Sequence, residues 1–274
     1  GLAAALSADL PGTDVRVATT SGSVDNIERL IDGRAQIAFS LADTAAEAVL
    51  GRGPFRGRPA EVRAVARLYT NSLHVVVPAG SPVQRVADLR GRRVSVGGRG
   101  SGTEVTATRM LAVAGLSGPA APRLQNLGVQ ESADALAAGR LDAFFWSGGL
   151  PTSGITELVG SIPVRLVPTD DLLTGMRDRH GEYFVDQTIP PSVYGTPGDV
   201  STIGVPNLLL VRADAPRALV HRITASLFAH SSELVTAHPE ARHLDQRSAI
   251  TTTPVRLHDG AADYYREVKP GATG

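Results

Sequence analysis

Residues 97–103 read GGRGSGT, with Gly97, Gly98, Gly100 and Gly102 interleaved with Ser101 and Thr103 and no lysine following. A glycine-rich turn at the mouth of a helix exposes backbone N–H groups that have no partner inside the helix. The helix dipole makes that end attractive to a negative group, and glycine lets a ligand approach the backbone closely. Hydrogen bonds to a charged acceptor contribute about 1.5–3 kcal/mol each. Three of them, from Ser101, Gly102 and Thr103, would therefore supply much of the roughly 8 kcal/mol behind a micromolar dissociation constant. No GK[ST] completes a phosphate-binding loop, the glycine spacing is not that of a dinucleotide fingerprint, and no G-x-S-x-G surrounds Ser101. The residues leave two readings open, an anion cradle and a structural turn.

Two further turns have a similar character. TTSGSVDN, Thr19–Asn26, is crowded with hydroxyls, and Ser21 or Ser23 would also serve as an ordinary helix cap. FFWSGGLPTSG, Phe144–Gly154, carries the chain's single tryptophan, Trp146, which fits a core position equally well. Other reactive residues are dispersed. His221, His230, His238 and His243 lack metal-ligand spacing, Asp170-Asp171 reads as a helix cap, and Arg92-Arg93 reads as a solvated turn. No catalytic nucleophile–base pair, metal site or cofactor motif is expected.

The elements that must hold these turns alternate in type. Asp14–Thr20 is expected as a strand, followed by a helix capped at Ser23 and ended at Gly33. Gln36–Ser40 is a second strand, with Asp43 placed to cap the next helix, and GRGPFRG is a surface loop. VRAVARLY and LHVVVP read as two neighbouring strands. A short helix, the turn at Gly91 and a strand then lead into the glycine turn and a helix from Thr103 to Ala114. Strand, helix, strand, helix and strand follow through about residue 168. The pattern fades between Arg177 and Pro206, VPNLLLVR is a buried strand, and helices close the chain, the clearest from Pro216 to His230. Such alternation predicts βαβ units and mainly parallel central sheets. All three small-residue turns fall at carboxyl ends of strands, where α/β sheets bind ligands.

Bulk composition narrows the class. The 274 residues are 42% hydrophobic and 20% charged, which is globular composition in a chain long enough for two lobes. Lys+Arg and Asp+Glu number 27 each, and the zero formal charge argues against nucleic acid as a partner. Cysteine is absent, excluding disulfides and thiolate chemistry. No apolar run is long enough to span a membrane.

The chain resembles the TAXI-type solute-binding proteins of TRAP transporters. The resemblance rests on TTSGSVDNIERLIDGRAQIAFSLADTAAEA, GRGPFRG, VADLRGRRVSVGGRGSGTEVTA, ADALAAGRLDAFFWSGGLPT and GVPNLLLVRADAP, in the family's order and spacing over nearly the whole chain. It implies a periplasmic-binding-protein type II fold, two α/β lobes joined by a hinge and closing on a cleft. By position lobe I comprises residues 1–77 and 200–274, and lobe II residues 78–199. The family's first strand and its Gly/Tyr-rich loop are expected ahead of Gly1. The function implied is a non-enzymatic, extracytoplasmic receptor that delivers a small carboxylate, a glutamate-like amino acid or a dicarboxylate, to an integral-membrane TRAP permease. The ligand-binding residues implied are Thr20, Ser21, Ser23, Ser40, Asp43, Tyr69, Gly100, Ser101, Gly102, Thr103, Trp146, Ser147, Gly149, Pro151 and Thr152. Two departures stand out: Ser40 replaces a frequent glutamine, and Gly98-Arg99 replaces small residues or proline, with Arg99 expected at the solvent. The rival readings are a ligand-sensing module of a signalling protein and an enzyme on the same fold acting on a small anion. The enzyme would need a reactive group in the cleft, and the sequence offers Asp43 alone.

Overall fold

The computed structural model describes residues 1–268; the single lysine, Lys269, lies outside them. The chain runs α1 (Leu2–Asp9), α2 (Ser23–Ile31), β1 (Ile37–Leu41), α3 (Ala42–Leu50), β2 (Val62–Pro78), β3 (Arg93–Ser95) and α4 (Gly102–Val113). It continues through β4 (Arg123–Gln125), α5 (Val129–Ala137), β5 (Ala143–Gly148), α6 (Ser153–Ser161), β6 (Val164–Leu166), α7 (Leu173–His180), β7 (Val185–Ile189) and α8 (Pro191–Tyr194). Strand β8 (Val200–Arg212) and helices α9 (Arg217–Ala229), α10 (Ser231–Ala237), α11 (Gln246–Ala249) and α12 (Asp259–Glu267) complete it. These elements divide into two units, Gly1–Tyr69 with Pro206–Gly274, and Thr70–Val205. The division falls inside β2 and β8.

In the first unit β1 pairs antiparallel with the carboxyl half of β8, Ile37 facing Val211 and Leu41 facing Asn207. Leu6 and Leu10 of the α1 region, Val65 and Leu68 of β2, Leu209 and Val211 of β8, and Val220, Ile223 and Leu227 of α9 form one apolar core. In the second unit β2 pairs antiparallel with β5 and β6, and β3 lies parallel to both β4 and β5. Strand β7 pairs antiparallel with the amino half of β8. Phe144, Leu136, Leu141, Ile155, Leu158 and Ile189 fill the core of this unit.

Several sequence expectations change here. The sheets are mixed, not mainly parallel: β3 runs parallel to its two neighbours, while both long strands make antiparallel ladders. Period-two alternation shows that a segment can be a strand without showing which strand will pair with it. For the same reason Asp14–Thr20 is not a strand; no ladder engages it, and Val17 is 81% exposed. VRAVARLY and LHVVVP are one continuous strand, β2, because Thr70, Asn71 and Ser72 between them are polar yet tolerate extended backbone and include neither glycine nor proline. The region from Arg177 to Pro206 contains the end of α7, β7, α8 and the start of β8.

Local assignments shift too. Gly22 is the N-cap of α2, and Leu41, not Asp43, precedes α3. Asp170-Asp171 lies within a 3-10 turn rather than capping it. Arg93 is not a solvated turn residue. From β3 its guanidinium grips Asp142 at 2.7 Å, and that hydrogen-bonded pairing holds the Asp142 carboxyl below its usual range. Gly33 and Gly115 follow α2 and α4 with φ of 71° and 77°, the left-handed backbone that ends helices without a Cβ penalty.

Candidate functional site

The glycine turn does lead into a helix. Ser101 is the N-cap of α4, and its Oγ accepts the Glu104 N–H at 3.0 Å. Gly97 turns the chain with φ of 92°, and a Cβ there would stand 2.7 Å from Thr103 Cβ, so the turn closes directly on Thr103. The three-amide cradle expected from the sequence becomes two. The Ser101 N–H donates to the Gly98 carbonyl at 3.0 Å, while among the described residues nothing accepts from the Gly102 and Thr103 amides. These are the orphan donors that every helix start leaves. Thr103 is buried.

Glu104 sets the electrostatics. Its carboxylate accepts the Gly100 N–H and the Asn126 side-chain amide, each at 2.7 Å, and Asn126 also donates to the Gly97 carbonyl at 3.1 Å. The turn is thus clasped by a carboxylate, which places one negative charge at the helix start already. Neither residue was singled out from sequence. The signal available was the S-x-x-E spacing of Ser101 and Glu104, a capping-box pattern in which Glu104 here reaches the residue before the cap.

The second turn lies against the first. Ser147, near the end of β5, donates its backbone N–H to Thr103 Oγ1 at 3.2 Å, and Asn71 of β2 donates to the Ser147 carbonyl at 3.3 Å. Beyond it, Thr152 is the N-cap residue of α6. Its hydroxyl donates to the Gly149 carbonyl at 2.9 Å and takes the Trp146 indole N–H at 3.2 Å. Trp146 is half-buried and packs against the core of this unit. Pro151 follows a cis peptide bond. Gly100, Ser101, Gly102, Thr103, Trp146, Ser147, Gly149, Pro151 and Thr152 are therefore brought together in the second unit, joined through Thr103 and Ser147.

The remaining candidates belong to the first unit. Thr20 donates to Asn26 at 2.6 Å, and Asn26 donates to the Phe39 carbonyl at 2.8 Å. Ser23 Oγ accepts the Leu41 N–H at 3.0 Å, while Ser40 Oγ donates to the Leu41 carbonyl at 3.0 Å. Asp43 is fully buried and accepts the Thr44 N–H at 2.7 Å. Thr20, Ser23, Ser40 and Asp43 thus gather around the end of β1. Ser21 turns to Asp25, whose carboxylate accepts both its amide and its hydroxyl, at 3.2 and 3.4 Å. The Arg29 hydrogen bond holds Asp25 below the usual carboxylate range, so that acceptor stays charged.

Tyr69 lies near the middle of β2. It lines an apolar pocket of about 360 Å³ with Leu68, Leu227, Leu234 and His238, and its hydroxyl meets His238 Nε2 at 3.2 Å. Burial and the Glu240 charge raise its pKa, so the phenol is neutral. His221 and His230 pair with Glu267 and Asp9 at 2.9 and 3.1 Å. Among the described residues no group of three or more acidic and histidine side chains is arranged to hold a metal ion.

A family model for the NMT1-like family matches residues 1–268. The chain belongs to the NMT1-like family. Solved structures share its fold at low identity. A protein from Xanthomonas citri bound to ATP superposes with a TM-score of 0.55 at 14% identity, over 98% of this chain and 94% of that one. The alkanesulfonate-binding protein SsuA from Xanthomonas axonopodis pv. citri, bound to MOPS, gives 0.54 at 16%, over 97% and 78%. A Listeria monocytogenes protein assigned as an L-cystine ABC transporter gives 0.51 at 13%, over 89% and 86%. The NMT1-like chain has the periplasmic-binding-protein type II fold, an eight-stranded mixed α/β arrangement. No helix among its described residues is long and apolar enough to cross a membrane.

Proposed function

We propose that this protein is a non-enzymatic, extracytoplasmic receptor for a small anionic solute, which it hands to a membrane permease. The observation that carries the reading is the tie between two turns in the second unit. The unpaired amides of Gly102 and Thr103, at the start of α4, lie beside Ser147 and the Trp146–Thr152 turn. Two amides and a helix start suit a carboxylate or sulfonate group. Among proteins of this fold, one holds the sulfonate MOPS and another ATP, and both ligands carry anionic groups, while an arginine-binding protein holds an amino acid with a free carboxylate.

Glu104 refines the choice. A second full negative charge next to this carboxylate is repelled, whereas an amino acid brings an ammonium group that offsets the repulsion. Within the carboxylate class, a glutamate-like amino acid fits better than a dicarboxylate. Trp146, half-buried beside this turn, supplies an apolar face for the aliphatic stem.

The motif resemblance favours a TRAP-type permease as partner, and the L-cystine relative favours an ABC-type one. Growth on the bound solute after deletion of each permease class separates them. The binding reading itself is tested by thermal unfolding with saturating amino acids, dicarboxylates and sulfonates. A ligand at a hundred times its dissociation constant stabilises the folded state by about 2.7 kcal/mol. A clear rise in Tm with one amino acid is expected. No rise with any acid in the panel refutes the ligand class.

A further inference from the structure

A buried chain of hydrogen bonds stands behind the Trp146–Thr152 turn. Tyr194, on α8, is 6% exposed, and its hydroxyl accepts the backbone N–H of Thr152 at 2.8 Å. The same hydroxyl meets His74 Nε2 at 3.1 Å, and the two rings are edge-on with centroids 5.6 Å apart. His74 is fully buried on β2 and faces Trp146 across the β2–β5 ladder. Thr152 then relays the constraint, with its hydroxyl taking the Trp146 indole N–H and donating to the Gly149 carbonyl. Three elements distant in sequence therefore converge on one phenol oxygen, and through Thr152 that oxygen fixes both the indole and the turn. There is little slack in the arrangement: a Cβ on Gly148 would run into the Trp146 indole nitrogen and come within 3.0 Å of Thr152 Oγ1.

We propose that Tyr194, seated by His74, is a positioning residue for the solute site: it holds the Trp146–Thr152 turn in the shape that receives the solute. The proposal rests on the receptor reading above for the word solute, but not for the turn. Burial keeps His74 neutral, with its pKa lowered to about 4, so the pair joins two uncharged groups and persists at neutral pH. Neither residue is placed against the solute. Their action runs through the Thr152 amide, an orphan donor of α6 that would otherwise be left without a partner.

Trp146 is the only tryptophan in the chain, so tryptophan emission reports this turn directly, with or without a solute. Tyr194→Phe removes the oxygen and keeps the ring. The expected result in the full chain is a red-shifted emission and increased acrylamide quenching. Affinity for the solute found by thermal unfolding should fall about fivefold, the factor that one neutral hydrogen bond is worth. His74→Gln, which keeps a polar atom near Nε2, should preserve the wild-type emission, while His74→Leu should shift it as Tyr194→Phe does. This histidine pair keeps the test decisive if Tyr194→Phe fails to fold. Unchanged emission and quenching in Tyr194→Phe, or in His74→Leu, overturns the proposal. A wild-type protein that binds none of the acids refutes the solute reading and leaves the emission test standing.

Discussion

Thr103 Oγ1 accepts the backbone N–H of Ser147 at 3.2 Å, tying together turns that lie 44 residues apart in the chain. Thr103→Val keeps the shape of the side chain and deletes the acceptor, leaving a buried amide unpaired at a cost of about 1–3 kcal/mol. Chemical denaturation of Thr103→Val and Thr103→Ser measures this. The valine variant should lose that stability and the serine variant most of it should keep. Equal stability of valine and wild type would show that the two turns are held by other means.

Gly97 and Gly98 are neighbours with opposite expectations. At Gly97, with φ of 92°, a methyl group meets Thr103 Cβ at 2.7 Å, whereas at Gly98 it meets nothing within 4 Å. Gly97→Ala should cost roughly 1–2 kcal/mol for the left-handed backbone and a further 1–3 kcal/mol for overpacking. Gly98→Ala should lie within about 0.5 kcal/mol of wild type. Comparable losses in both variants would mean that the turn does not close on Thr103.

Glu104→Gln tests the clasp on the glycine turn. The carboxylate accepts from Gly100 and Asn126 at once, and a glutamine amide has one oxygen for the two donors. A loss of about 1–3 kcal/mol in urea unfolding is expected. If an amino acid is the solute, its affinity should fall as the charge opposite its ammonium group disappears, while a dicarboxylate should bind more tightly. An unchanged ratio of the two affinities would remove Glu104 from the specificity argument.

The sequence made the turns legible and left their supports hidden. Gly97, Ser101 and Thr103 declared themselves through residue types that few other backbone geometries require, and Gly33 and Gly115 marked helix ends for the same reason. Strand pairing was not readable: Asp14–Thr20 alternates like a strand and has no ladder, and β2 runs unbroken through Thr70, Asn71 and Ser72. His74, Asn71, Asn126 and Tyr194 carried no local pattern at all. Their importance arises from contacts 22 to 120 residues distant, which no short window along the chain contains. Ser21 and Ser23 read equally as ligand donors or helix caps, and the structure bonds them to Asp25 and to the Leu41 amide.

His74 gives a prediction in pH. Its pKa is about 4 in the folded chain, against about 6.5 when exposed, so between those values the unfolded chain binds an additional proton. The stabilising contribution of neutral His74 is complete above pH 6.5 and is lost as pH falls towards 4, by roughly 3 kcal/mol in all. Tm measured from pH 7.5 to 4 should fall less steeply in His74→Gln than in wild type. Parallel curves would mean that His74 is solvated.

The most direct test of the receptor account is a titration followed by backbone amide NMR at Gly102 and Thr103, using the amino acid that raises Tm most. Both amide resonances should move and saturate with the same dissociation constant that calorimetry gives, and Trp146 indole N–H should move with them. Saturable binding that leaves Gly102 and Thr103 unmoved would contradict the account and place the solute elsewhere.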